Sequence, residues 1–210
     1  SVLMVIVALV MISYALFSIV SSHLRARNML NEWEKLVEAQ GRITPSPSPV
    51  VNPDPSDSTS EPQTPDENSP TPVPVVTEPV YNDYIAGLLV FPTIRNKKVV
   101  VVRGTTDEDI RGAAGMATYL TEPGVPGNTL VFGHRDGVFS GFANLSIGDS
   151  IMFKMLNGEF EYIIESFTIV DPYDELITRR YEDDMLTLVT CYPFNYIGNA
   201  PRRYIVVARI

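Results

Sequence analysis

A single cysteine, Cys191, stands in 210 residues. No disulfide within the chain can brace the fold, so the structured part must rest on a hydrophobic core. Histidine is nearly as scarce: there are 2, His23 close to the N-terminus and His134 alone in the part that reads as folded. Basic charge is short as well. Against 25 Asp and Glu there are 16 Lys and Arg, a net charge of -9, which excludes nucleic acid as a partner because phosphates require a basic face. No internal repeat is present. From Thr44 to Pro79 there is not one Lys or Arg, and from Val2 to Val20 there is no charge, Gly or Pro.

Those last two absences divide the chain. The run VLMVIVALVMISYALFSIV, Val2 to Val20, has the length of a membrane span: about twenty helical residues at ~1.5 Å each cross a hydrocarbon core of roughly 30 Å. A cleaved signal would have a shorter apolar core and a small-residue cleavage site. Here Ser21-Ser22-His23 leads into an amphipathic stretch instead, so residues 1–22 are read as an uncleaved transmembrane anchor. Arg25 and Arg27, taken alone, would place the following side in the cytoplasm; the flank before Ser1 cannot be weighed against them. Residues 23–43, with Leu30, Trp33 and Val37 at helical spacing and Gly41 as a stop, predict a juxtamembrane helix with Trp33 among lipid headgroups.

Residues 44–80 are rich in Pro, Ser, Thr, Asp and Glu. Such a composition cannot bury enough apolar surface to offset chain entropy, and proline stiffens it towards polyproline II. It is read as a disordered linker, a stalk. Its prolines make a poor SH3-type ligand because the basic residue such ligands carry is missing. Anchor and stalk are expected to contribute nothing to the core of the domain at 81–210.

That domain is predicted to be mainly β. Short β-rich runs occur at Leu88–Phe91, Val99–Arg103, Thr129–Gly133, Ser150–Met155, Glu159–Val170, Met185–Thr190 and Arg203–Ala208. Asn157-Gly158 is a hairpin signal between two of them. Thr106-Asp107-Glu108-Asp109 reads as an N-cap with an acidic first turn, opening a short helix to Ala113, and Val138–Leu145 as another helical turn. Many short strands with few helices indicate a closed β-barrel with short helical insertions.

Reactive groups sit at the ends of these runs. Cys191 closes Thr187-Leu188-Val189-Thr190-Cys191, His134 follows Leu130-Val131-Phe132-Gly133, and Arg202-Arg203 open the last run. A thiol, an imidazole and a guanidinium so placed are the parts of a cysteine acyl-transfer site. On composition alone, a lone Cys after a strand is a small buried hydrophobe and a lone His an ordinary hydrogen-bonded residue.

The motifs around these residues tip the balance. Thr187-Leu188-Val189-Thr190-Cys191 resembles the TLxTC signature of sortases, the membrane-anchored transpeptidases of Gram-positive bacteria. Gly133-His134-Arg135-Asp136 resembles their histidine motif, and Asn199-Ala200-Pro201-Arg202-Arg203-Tyr204-Ile205-Val206 their arginine strand. Cys191-Tyr192-Pro193-Phe194 and Ala200-Pro201 are most similar to class D. The resemblance covers roughly residues 85–210. It implies Cys191 as nucleophile, His134 as general acid/base and Arg203 as catalytic arginine, with Thr190 and Tyr192 as candidates for substrate contact. Arg203 is favoured over Arg202 because it directly precedes Tyr204–Ala208, and alternation turns its neighbour to the opposite face. Asp136 is read as a turn residue rather than a third catalytic member.

The resemblance further implies a catalytic domain outside a single-pass cell-membrane anchor. The expected activity is cleavage of an LPxTG-like sorting signal after Thr, through a thioester, and transfer to a peptidoglycan precursor or other amine. No cofactor is expected. Some sortases bind calcium, but the segment Met116–Asn128 carries only Glu122, and Asp171, Asp174, Glu175, Glu182, Asp183 and Asp184 read as solvated loop charges; no metal is assigned. The upstream aromatic lid of pilus-polymerising sortases is matched poorly by Asn82-Asp83-Tyr84. That class, a catalytically silent binding barrel and a simple cysteine peptidase stay open as alternatives.

Overall fold

The computed structural model describes residues 2–41 and 83–210, excluding the side chains at 15, 18, 19 and 41. The linker expected at 44–80 lies outside these residues. The element order is α1 (Val2–Gly41), β1 (Ile85–Phe91), β2 (Lys97–Arg103), β3 (Ala114–Met116), β4 (Gly127–Phe132), β5 (Ser150–Met155), β6 (Gly158–Val170), β7 (Asp184–Tyr192) and β8 (Arg202–Arg209). The strands close into a barrel in the order β1-β2-β3-β4-β7-β8-β6-β5. Only β2–β3 and β4–β7 pair in parallel; the other neighbours are antiparallel. The expected closed β-barrel is thus the fold, and each of the seven predicted runs lies within or overlaps a strand.

Alternation along the strands sends one set of side chains inward. Leu89, Phe91, Val101, Val131, Phe153, Tyr162, Leu186, Leu188 and Val206 fill the interior. The buried Asp184 carboxylate is satisfied, accepting from the Tyr162 hydroxyl at 2.8 Å and from the Gly124 amide at 2.8 Å. Burial, and then the bond to Asp184, push the Tyr162 phenol well above its ordinary pKa.

The outer face of β1–β2 is also apolar, and α1 covers it. Trp33 is 4% exposed, packed with Ile85, Leu88, Val100, Val102 and Ala113. Met29, Leu30 and Leu36 of α1 flank the same cluster. Arg25 pairs with Glu108, the Gln40 side chain donates to the Leu156 carbonyl at 2.6 Å, and a Cβ on Gly112 would lie 3.0 Å from the Ser22 carbonyl oxygen. The helix expected from residue 23 onward is present as the second half of α1, which runs from Val2 to Gly41. One expectation is corrected here. Trp33 is not an interfacial residue among headgroups: the barrel offers its indole an apolar surface, and removing a buried aromatic of this size costs on the order of 3–5 kcal/mol. The N-terminal segment therefore does contribute to the core.

Towards the start of α1 the described apolar side chains between Val2 and Phe17 are exposed, with Val2 73%, Met4 78% and Phe17 72% exposed. Among the described side chains, no uninterrupted stretch of helix is long and apolar enough to cross a membrane; positions 15, 18 and 19 fall outside them.

Three local expectations change. Thr106 and Asp109 do make reciprocal capping bonds, Thr106 N–H to the Asp109 carboxylate at 3.0 Å and Asp109 N–H to the Thr106 hydroxyl at 3.3 Å. No helix follows, because Gly112 takes φ 87° and turns the chain into β3. The second predicted helical turn shrinks to a 3-10 turn at Phe142–Asn144. The β5–β6 hairpin forms, but Gly158 pairs with Met155, so Leu156 and Asn157 make the turn.

Candidate active site

Strand register assembles the reactive residues. In β7–β8, Cys191 is paired directly with Arg203, and Tyr192 with Arg202. Directly opposed residues in an antiparallel pair project to the same face, about 5 Å apart at Cα. On the other side of β7, Phe132 of β4 pairs with Val189, and Gly133 N–H donates to the Val189 carbonyl at 3.1 Å. Two residues further along, His134 reaches the level of Cys191. β7 thus carries Cys191 between β8, which sets Arg203 opposite it, and β4, whose end leads into His134. Cys191 and Arg203 share the outer face, since Val189 and Ile205, two residues along each strand, belong to an apolar cluster outside the barrel with Phe132, Val170 and Ile177.

The histidine turn is built tightly. Gly137 and Phe139 N–H both donate to the His134 carbonyl, at 3.2 and 3.0 Å. The Phe139 ring is fully buried and stacks on Phe142 with centroids 4.3 Å apart. A Cβ at Gly133 would come within 2.6 Å of that ring, so glycine before His134 is what lets the aromatic plug close beneath it. Thr190 is 2% exposed, and its hydroxyl donates to the Gly133 carbonyl at 2.7 Å. That bond ties β7 to β4 one residue before each reactive group and commits the hydroxyl proposed for substrate contact. Tyr192, the other candidate, is half-buried and stacks on Tyr204 at 6.1 Å. Asp136 is exposed on the turn, and Arg202 is exposed while Arg203 is half-buried. Arg203 donates through one guanidinium nitrogen to the Ala200 and Arg202 carbonyls, at 3.3 and 3.1 Å.

Two further side chains act on this region. Lys97 of β2 reaches under the turn and donates to the Gly137 carbonyl at 3.2 Å and to the Ser140 carbonyl and hydroxyl, both at 2.7 Å. An ammonium has three N–H groups, and here each finds an oxygen. Arg135 bridges in the opposite direction, from the histidine turn to the β7–β8 connection at Tyr196 and Gly198. The arginine was visible inside the Gly133–Asp136 motif but carried no assigned role. Lys97 gave no signal, being one of two lysines at a strand start.

Burial lowers the Lys97 amine from its ordinary value to about 8. A folded-state pKa below the unfolded one means that the unfolded chain holds more protons between the two values. Folding stability should therefore rise as pH climbs from about 8 towards the ordinary lysine range. Chemical denaturation of wild type and Lys97→Met at pH 7, 8, 9 and 10 checks this. The wild-type curve gains stability relative to the variant with rising pH, and parallel curves would show that Lys97 does not titrate there.

Four of the acidic residues considered for a metal have other partners. Asp174 caps the 3-10 turn Glu175–Thr178 by accepting from Leu176 N–H at 2.9 Å, Asp183 pairs with Arg209, and Asp184 is held by Tyr162 and Gly124. Glu122 pairs with Arg103 at 2.7 Å. Among the described residues, no group of three His, Cys, Asp or Glu is placed to hold a metal ion.

A family profile for the sortase domain matches residues 89–210, more than half of the chain. Sortase D of Bacillus subtilis is 38% identical over 125 residues, which are 59% of this chain and 63% of that relative's length. Among solved structures, a Clostridium perfringens sortase D5 transpeptidase superimposes with TM-score 0.54 at 26% identity, over 60% of this chain and 78% of that one. Listeria monocytogenes sortase A gives TM-score 0.54 at 21% identity, over 60% of this chain and 87% of that one, and shows the likeness of fold alone. With its barrel and the profile match in agreement, this chain belongs to the sortase family.

Proposed function

We propose that the protein is a cysteine transpeptidase that cleaves an LPxTG-like sorting signal after Thr and transfers the acyl group to a cell-wall amine. The observation that supports this reading best is the register of β7: Cys191 is paired with Arg203 of β8, and β4, which ends two residues before His134, pairs with it at Val189. The Cys191 thiolate attacks the Thr carbonyl carbon, and the carbonyl oxygen takes up negative charge. The planar guanidinium of Arg203 stabilises that oxygen or holds the peptide backbone in register. The tetrahedral adduct collapses as His134 delivers a proton to the departing amine nitrogen, leaving a thioester on Cys191. An incoming amine attacks the thioester, His134 takes its proton, and the thiolate leaves as the new amide forms.

The chain acts, in this reading, on the outer side of a Gram-positive cell membrane, anchored through residues 1–22. Support comes from the uncharged run Val2–Val20 and from the exposed apolar side chains on the part of α1 that projects beyond the barrel. The amine acceptor is a peptidoglycan precursor. Wall attachment is favoured over pilus assembly because Asn82-Asp83-Tyr84 lacks the pattern of an aromatic lid.

An acceptor competition tests the reading. A fluorogenic LPxTG-like peptide is incubated with enzyme, with and without triglycine, and products are separated by mass. The proposal predicts that triglycine diverts most of the acyl group from the free acid to the ligated peptide. Acid alone at every triglycine concentration would indicate a cysteine peptidase, and no cleavage a silent barrel.

A further inference from the structure

The β7–β8 connection, residues 193–201, carries the chain from the nucleophile to the arginine, yet little of its own backbone holds it. Among the described residues, no backbone–backbone hydrogen bond of a turn or loop involves 193–201. Ile197 at its tip is 99% exposed. Phe194 seats its first part against Tyr192, Tyr204 and the barrel interior, and the part beyond is held by a side chain from across the site. Arg135, next to His134, donates from one guanidinium nitrogen to the Tyr196 carbonyl and, at 3.1 Å, to the Gly198 carbonyl, while its guanidinium carbon lies 6.0 Å from the Tyr196 ring centroid. Two residues beyond Gly198, the Ala200 carbonyl accepts from Arg203. A contiguous path therefore runs from the histidine turn through Arg135 to the connection, and through Ala200 to the catalytic guanidinium.

We infer that Arg135 is a positioning residue for the transfer reaction: it clamps the β7–β8 connection across the site and so sets where the Arg203 guanidinium stands relative to Cys191. The inference rests on the reading of Arg203 as the arginine of the reaction. An arginine suits the task because its planar fork can serve two carbonyls and still lie against a tyrosine ring. Lys97 fixes the far side of the same turn on β2, so the clamp has a rigid base. A displacement of about 1 Å at the reacting groups is enough to lower turnover by up to two orders of magnitude.

A double-mutant cycle on kcat/KM tests this, with peptide transfer measured for wild type, Arg135→Ala, Arg203→Ala and the double variant. Melting temperature and the rate of Cys191 alkylation by iodoacetamide are measured alongside. Arg135→Ala is expected to lower kcat/KM by roughly tenfold or more in the wild-type background and by less than about twofold when Arg203 is already alanine. Alkylation, which needs no arginine, should stay within about twofold of wild type, and Arg135→Lys should fall between, because one ammonium on a flexible stem cannot bridge both carbonyls as well. A full tenfold loss repeated in the Arg203→Ala background would overturn the inference, as would an unchanged Arg135→Ala enzyme. If Arg203→Ala alone retains activity, it is the assignment of the catalytic arginine that fails, and the cycle separates the two outcomes.

Discussion

Cys191→Ala is expected to abolish both cleavage and transfer of an LPxTG-like peptide, a loss on the order of 10⁴-fold or more in kcat/KM, as for other enzymes deprived of a covalent nucleophile. No second thiol exists in the chain to substitute. The fold should survive. Cys191 is half-buried at the end of β7, and the register around it is set by main-chain bonds to β4 and β8 and by the Thr190 hydroxyl. Alanine leaves all of these in place and removes one sulfur from a partly wet position, so the melting temperature should move by no more than about 2 °C. Peptide turnover by chromatography and a thermal melt on the same preparation check the two halves together. Retained turnover ends the nucleophile assignment, and lost folding makes the cysteine structural.

The second large effect separates two adjacent arginines. Arg203→Ala should lower kcat/KM by about 100-fold or more, the scale of losing one donor to a developing oxyanion. Arg202→Ala should lower it only a few-fold. The difference comes from the pairing: Arg203 opposes Cys191 and shares its face, whereas Arg202 opposes Tyr192 and is exposed. Lysine at 203 should restore only part of the loss, because a point charge lacks the planar set of donors. Steady-state kinetics of the three variants decide the matter. A crippled Arg202→Ala with a healthy Arg203→Ala would mean that Arg202 serves the reaction despite facing away, and mild effects in both would leave the oxyanion to other donors.

The strands, and the strand ends on which the candidate Cys191, His134 and Arg203 stand, were legible in the sequence because each rests on local pattern. Apolar runs of strand length, turn residues between them and reactive groups at their ends need no knowledge of distant contacts. β3 escaped because Ala114-Gly115-Met116 is too short and too small to show a pattern; it exists because β2 and β4 flank it. The helix expected after Thr106 had its caps but was stopped at Gly112, which takes φ 87° where the α1 backbone passes close by. The docking of α1 was the larger miss, and there was a signal for it. Leu88 to Phe91 and Val99 to Val102 do not alternate with polar residues, and strands without alternation are buried on both faces. Something had to cover the outer face of β1–β2, and Trp33, the only tryptophan, supplies the cover. The clamps at the site were hidden for another reason. Lys97 and Arg135 act on main-chain carbonyls 40 to 63 residues away, and a carbonyl leaves no mark on residue identity.

The central claim is that Cys191 becomes acylated by a sorting-signal peptide with His134 and Arg203 at its sides. Intact-mass spectrometry of the enzyme, quenched in acid shortly after mixing with an LPxTG-like peptide, tests it most directly. The account predicts a covalent adduct equal to the mass of the peptide up to and including its Thr less one water. Proteolytic mapping should place it on Cys191, triglycine should discharge it, and Cys191→Ala should show none of it. An adduct on another residue, or free product formed without any covalent species under conditions that trap a thioester, would contradict it.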